Sequence, residues 1–377
     1  YRERVLDPLA YFALLLLYVR DRRGWTYILA ALVAAGALVG VIGLGQLALH
    51  RDLSAVPGTS IERVQALYGS PDNLGLLLDR VVPFWFAVAL VARFGRQFRL
   101  LWWAVGVVLV IVLLLTFSVG AWIAVALSCL LVLALARPWG RWVAVACILV
   151  VAAGIGVKSH SVARAFNSGH ANSTQTRLWV WQSSLHMLHD RPVLGIGPDN
   201  FQRYYAPTRR QDRWQRVCVP GRGYMEPGAG AEPCLSHPHD EFLDFWLSAG
   251  VLGLVSYLWL LYVFWNVAIR LGSRARFRDD RAAILGTMAA MAASVIHGLI
   301  DNSYFLVDLS LLFWLLCAFF SWMWTDGQAA DEWPAPVEMR LDRDENARTT
   351  ALTRAFRHFP VRRFAYRAER RRLEAVP

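Results

Sequence analysis

Two groups of residues carry the types and spacing that chemistry needs. The first is the segment Ser236–His–Pro–His–Asp–Glu–Phe–Leu–Asp–Phe–Trp–Leu247, which runs straight into an apolar stretch. His239 falls near the N-terminus of the helix predicted there, where the positive end of the helix dipole disfavours imidazolium. A neutral imidazole accepts a proton and so acts as a general base. Helix capping and metal ligation compete with that role. Cys234, His237 and His239 would give three ligands, where a structural zinc site takes four. The second group is the ten basic residues between Lys158 and Arg222, among them Arg177, Arg209, Arg210 and Arg213. Arginine grips phosphate in a bidentate fork, each charge-assisted hydrogen bond contributing about 1.5–3 kcal/mol. An anion site and a solvated basic loop resting on lipid headgroups both fit this run. Asp79, Arg80 and Asp308 add charges inside or beside apolar stretches, where each costs roughly 2.5–3.5 kcal/mol and therefore faces a partner or a cavity. An Arg80–Asp79 or Arg80–Asp308 pair that pins helices is one outcome. Arg80 at the rim of the anion site is the other.

The elements that must position these groups are transmembrane helices. Of the 377 residues, 56% are hydrophobic and 18% charged. The apolar residues form nine stretches, roughly 8–19, 26–49, 74–92, 100–117, 119–136, 141–157, 241–268, 282–300 and 306–325. One spanning helix takes about 20 such residues. Val107 to Leu115 is apolar at every position, which excludes the alternating strands of a barrel. The expected fold is an all-α polytopic bundle of about nine spans. The sequence begins at Tyr1 with a short first stretch, and further N-terminal spans are expected ahead of it.

The net charge of +11 does not indicate nucleic acid, because the arginines sort by side. Short loops around Arg20–Arg23, Arg93–Arg99, Arg137–Arg141 and Arg270–Arg281 alternate with arginine-poor ones. The positive-inside rule places them in the cytoplasm, together with a basic C-terminal tail suited to anionic lipid. The long loop then faces outward, since long loops translocate regardless of charge. Four parts follow: membrane helices over 1–157, a large extracytoplasmic loop over 158–240, membrane helices over 241–325 and a cytoplasmic tail over 326–377.

Within the loop, Gln175 to Leu188 reads as an interfacial amphipathic helix with Leu178, Trp181, Leu185 and Leu188 on one face. Arg177 lies in its first turn. Gly195 and Gly197 permit a tight turn or a close backbone approach to a ligand. Cys129, Cys147 and Cys317 lie in apolar stretches as packing residues. Cys218 and Cys234 lie in the outward loop, where disulfides persist, and a Cys218–Cys234 bridge and two free thiols both fit the spacing.

Four stretches together resemble the O-antigen ligase and polymerase superfamily of bacterial membrane glycosyltransferases. They are Tyr68–Gly–Ser–Pro–Asp–Asn–Leu74; Arg177 and Trp181 followed by Pro192–Val–Leu–Gly–Ile–Gly–Pro–Asp–Asn–Phe201; His237 to Trp246 running into Gly250–Val–Leu–Gly253; and His297–Gly–Leu–Ile–Asp–Asn–Ser–Tyr304. The resemblance implies a fold related to the C-type glycosyltransferases. It implies an enzyme of the inner membrane that moves a glycan from a polyprenyl diphosphate donor to a lipid, sugar or protein hydroxyl on the outer face, with no metal or other cofactor. It maps the base onto His239 and the diphosphate-binding arginine onto Arg177. The family's second arginine follows a serine, and here Ser118–Val119–Gly120 stands in its place. Arg80 is the candidate for the missing role, and Arg210 is a further candidate for binding the diphosphate. Asp240 replaces a usual asparagine and puts an anion beside His239. A repeat-unit polymerase shares every one of these features. A lipid-linked sugar transporter would need inverted repeats and midplane charges, and a non-catalytic envelope protein fits the Val119 and Asp240 departures.

Overall fold

A computed structural model describes residues 2–55, 61–157, 173–205, 218–219, 223–224, 237–275 and 277–331. The protein is an all-α, multi-pass membrane bundle. After a π-helical turn (Arg2–Leu6) come α1 (Asp7–Tyr18), α2 (Arg22–Leu49), α3 (Pro71–Val91), α4 (Arg96–Leu115), α5 (Val119–Ala136) and α6 (Gly140–Val157). Then follow α7 (Ser173–Asp190), the short α8 (Phe201–Tyr205), α9 (Glu241–Arg274), α10 (Arg278–Gly298) and α11 (Val307–Asp331). Strand is confined, among the described residues, to two two-residue ladders, Ser54–Ala55 with Glu62–Arg63 and Cys218–Val219 with Gly223–Tyr224.

Among the described residues, seven helices, α2 to α5 and α9 to α11, are long and apolar enough to cross a membrane. α6, with 18 residues, covers the stretch expected at 141–157. The first expected span is shorter: α1 has only 12 residues, about 18 Å at 1.5 Å per residue, too little for a hydrocarbon core of about 30 Å.

α10 is the central post, packed mainly against α3 and α5. Its Ala- and Gly-rich face explains why. Between lipid-exposed helices there is no hydrophobic effect to exploit, so small residues that let backbones approach closely drive association. A Cβ added at Gly286 would lie 2.7 Å from the Phe84 ring, and one at Gly75 3.0 Å from Ser118 Cβ. Small residues on α10, α3 and α5 thus draw these three helices together, and the candidate site gathers where the end of α10 and the starts of α3 and α5 meet the start of α9.

Two glycine motifs lock the loop onto α9. At Gly250 (φ 70°, ψ −168°) the helix breaks, releasing carbonyls from the i→i−4 ladder. Leu247 O then accepts from Ile196 N (2.8 Å) and Gly197 N (3.2 Å), while Val251 N donates to Val193 O (3.0 Å). A Cβ at Gly195 would fall 2.3 Å from Leu247 O, and one at Gly250 2.1 Å from Val193 O. Close backbone approach is therefore what Gly195 provides, toward a helix and not toward a ligand.

α7 packs on α9, and of its expected apolar face Leu188 is buried, Leu178 and Trp181 are half-buried and Leu185 is exposed. Val180, Ser183 and Ser184 are buried as well. Ser184 returns its hydroxyl to Val180 O (2.8 Å), so two small serines can face the neighbouring helix without stranding a polar group.

Candidate functional site

The expected base has a carboxylate partner. His239 sits in the left-handed region (φ 50°), a conformation costing about 1–2 kcal/mol for a residue with a Cβ. Its Nδ1 lies 2.9 Å from Asp301 Oδ1. A carboxylate can only accept, so Nδ1 donates the hydrogen, and whenever the ring is neutral Nε2 is the nitrogen with the lone pair. Asp301 Oδ1 also receives Asn302 N (2.7 Å). Burial alone would raise the Asp301 pKa. The hydrogen bond and charge of His239, with the charges of His297 and Arg177, outweigh it and hold the group well below the usual carboxylate range.

Arg177 reaches the same carboxylate. Its Nε donates to Ile300 O (2.7 Å) and Nη2 stands 3.9 Å from Asp301 Oδ2. α7 is pinned over the site by Trp181 Nε1, which donates to His239 O (3.3 Å). The structure brings His239 and Arg177 together at Asp301, a residue the sequence reading did not single out.

The turn carrying Asp301 is held by two acids one helical turn apart on α9. Glu241 accepts from Tyr257 OH, Ser303 Oγ and Tyr304 N, the last at 3.0 Å. Asp244 accepts from Ser248 Oγ (2.9 Å) and from Asn302 Nδ2. Below them runs a cavity of about 210 Å³, lined among others by Arg4, Asn73, Gly197, Asp199, Phe201, His237, Asp244, Asp301 and Asn302. Arg4 pairs with Asp199 (2.6 Å) at its wall. No sequence pattern singled out Arg4. Glu241 and Asp244 had a signal, two acids three residues apart at the start of an apolar helix.

Arg80 is elsewhere. It is 1% exposed, held by Leu76 O, by Asp79 Oδ1 (2.9 Å) and by Ser294 Oγ (2.8 Å). Asp79 in turn meets His297 Nδ1 (2.5 Å). The structure thus contains the Arg80–Asp79 pair that pins helices. Asp308 takes no part in it and accepts from Tyr68 OH (2.7 Å). Val119, where the second arginine was sought, is 61% exposed, and a Cβ on Gly120 would lie 2.6 Å from His297 Nε2.

Asp240 caps α9, accepting from Leu243 N (2.8 Å), and burial raises its pKa. The anion in contact with His239 is therefore Asp301 and not its chain neighbour. Burial also pushes His237 down to about 4, aided by the charges of His239 and Arg4 against that of Asp301. His237, His239 and Asp301 bring one ligand atom each within 4.8 Å of one another, so a divalent transition ion has three donors here, with Asp301 in the place proposed for Cys234. Arg210 and Cys234 lie outside the described residues, as does the side chain of Cys218, whose backbone belongs to the Cys218–Val219 strand. The proposed disulfide therefore lies outside them too. Cys129, Cys147 and Cys317 are free thiols.

Compared with known families, residues 104–258 match the one described as O-Antigen ligase. The match takes in Arg177 and His239 and stops short of Arg80 on one side and Asp301 on the other. No curated protein matches the chain.

Proposed function

We propose that this protein of the O-antigen ligase family transfers a glycan from a polyprenyl diphosphate to a lipid, sugar or protein hydroxyl, without a metal, at the outer face of the inner membrane. The large loop then faces outward and the C-terminal tail lies in the cytoplasm. The observation that carries the reading is the shared carboxylate: Asp301 orients His239 through Nδ1 and neighbours Arg177.

In the proposed reaction His239 Nε2 takes the proton of the acceptor hydroxyl. The oxygen forms a bond to the anomeric carbon as the bond from that carbon to the diphosphate oxygen breaks, and diphosphate leaves with the electron pair. Asp301 keeps the ring in the tautomer that presents Nε2 and stabilises the imidazolium that forms. General base catalysis of this kind contributes roughly 10²–10⁴-fold. Arg177, fixed by Ile300 O, offsets charge developing on the leaving diphosphate, the contribution that in enzymes of this kind is usually largest. In this reading Arg210 acts from the loop, while Arg80, paired with Asp79 inside the bundle, ties helices together.

The test is transfer from a labelled polyprenyl diphosphate glycan by membranes containing the full-length protein, in EDTA, with His239→Ala and Arg177→Ala beside wild type. Activity in wild type with loss in both variants supports the reading. Activity that EDTA abolishes and zinc restores would instead assign His237, His239 and Asp301 to a metal. Absence of transfer to lipid and glycan acceptors alike would overturn it.

A further inference from the structure

The segment leading into α9 and the turn between α10 and α11 bring three metal-binding side chains to one place. His237 Nε2 stands 4.0 Å from Asp301 Oδ1, and His239 Nδ1 stands 2.9 Å from the same oxygen. One ligand atom from each of the three lies within 4.8 Å of the others. Two donors held at about 2.0–2.2 Å from a tetrahedral ion lie roughly 3.3–3.6 Å apart, so the two measured separations bracket the spacing that an ion needs. The His237 and His239 side chains keep 32% and 20% of their surface exposed, and an ion reaches them from that side. Three protein ligands leave a fourth position for water, the pattern of an open site.

The donor set selects the ion, and the histidine decides what the ion does. Two imidazoles and one carboxylate suit zinc, whereas magnesium and calcium take oxygen ligands. An ion bound to His239 Nε2 consumes the lone pair that the proposed reaction needs. An ion that takes the place of the hydrogen between Nδ1 and Asp301 Oδ1 sends that hydrogen to Nε2, because a neutral imidazole carries one N–H, and Nε2 again has no lone pair to offer. Either position also draws the Asp301 charge away from the imidazolium it would stabilise. We infer that His237, His239 and Asp301 form an inhibitory zinc site, at which the bound ion and the transfer reaction exclude each other. Inhibition rests on the transferase reading of His239, while binding stands on the three donors alone. His237, which takes no part in the proposed reaction, is the residue that makes the site selective for zinc over a proton on the His239–Asp301 pair.

Binding is tested without any transfer. Zinc is dialysed against untagged, purified full-length protein, with His237→Gln and Asp301→Asn beside wild type. Wild type should hold one zinc that excess magnesium does not displace, and each variant should bind it roughly 100-fold more weakly or worse, since even partners that only touch a ligand contribute 10–100-fold. Zinc should also raise the unfolding midpoint of wild type and not that of the variants, because an ion that binds only the folded chain stabilises it; midpoints read without zinc show that the variants are folded. Equal zinc binding in all three proteins, or its displacement by magnesium, overturns the site. In the transfer assay zinc should stop wild type and EDTA should restore it, and both variants, at the rates they retain, should need roughly 100-fold more zinc for the same inhibition. Zinc bound through His237 without loss of rate would overturn the inhibition and leave the transferase standing. Zinc that raises the rate would overturn both the inhibition and the metal-free reaction. A protein that transfers nothing with or without zinc, yet loses its zinc in His237→Gln, would sink the transferase and keep the metal site.

Discussion

Two histidine–aspartate pairs of similar geometry lie in one molecule. His239–Asp301 joins Nδ1 to a carboxylate at 2.9 Å, and His297–Asp79 does the same at 2.5 Å. The first opens on a cavity and keeps the His239 side chain 20% exposed. The second is sealed between α10 and α3, at 2% and 0% exposure, with Arg80 on its other side. Orientation by a carboxylate is common to both, so orientation cannot be what separates a base from a structural tie. Access is. A base needs a substrate proton within hydrogen-bond reach, and of these two rings it is His239, 20% exposed against 2% for His297, that a substrate can approach.

The comparison breaks most sharply at the ring itself. His239→Ala should cost about 10²–10⁴-fold in transfer rate and leave the midpoint of thermal unfolding in detergent close to wild type. Equal loss of activity in His297→Ala with an intact fold would show that the buried pair also takes part in chemistry. In the buried pair the large effect is on stability. Asp79→Ala strands Arg80 and His297 in the bundle, and removing one partner of a buried pair costs about 3–5 kcal/mol, visible as reduced folded yield and a lower unfolding midpoint. Next comes Asp301→Asn. The amide still accepts from Nδ1 but brings no charge to stabilise imidazolium, and a hydrogen bond to a charged group contributes about 1.5–3 kcal/mol. Transfer should fall roughly 10- to 100-fold at unchanged expression. A wild-type rate would remove Asp301 from the mechanism.

How much of this was legible beforehand differs between the two pairs. Runs such as Val107–Leu115 made the helical bundle plain, because a membrane leaves the backbone no other solution but a closed barrel. His239 and Arg177 were legible from residue type and motif. Asp301 was not, because a carboxylate 62 positions away becomes a partner only when Glu241 and Asp244 seize the turn between α10 and α11. Arg80 misled for the converse reason. A charge in an apolar stretch announces a partner without saying which, and here the partner is the adjacent Asp79, with His297 behind it. On α7 leucine spacing marked Leu188, which is buried, and Leu185, which is exposed, while the buried Val180, Ser183 and Ser184 carried no such signal. Gly195 does make a close approach, of one backbone to another and not to a ligand, and its counterpart Gly250 was not singled out for that role in the sequence.

A smaller effect sharpens the comparison at the structural pair. Gly120 starts α5 against the His297 ring, and Gly120→Ala puts a Cβ 2.6 Å from Nε2. Overpacking of this kind costs about 1–3 kcal/mol, so the variant should lower the unfolding midpoint while the rate per folded molecule stays within about twofold of wild type, close to the scale of RT itself. A large loss of rate at unchanged stability would mean that the start of α5, where the family's second arginine was sought, touches substrate after all.

The most delicate probe is pH, read at His237, whose ring centroid lies 4.3 Å from that of His239. Burial, with the charges of His239 and Arg4, lowers its pKa from 6.5 to about 4 in the folded protein. The unfolded chain therefore binds more protons than the folded one between these values, and stability must rise with pH across that window. As pH falls from about 6.5 to about 4 the unfolding midpoint should drift down, and His237→Gln should flatten the drift. Asp301, whose folded pKa is depressed, adds its own loss only below its unfolded value of 3.8. A midpoint that falls in His237→Gln as steeply as in wild type over the upper window would mean that another group carries the proton, and that His237 is far more open to water than its place on the cavity wall implies.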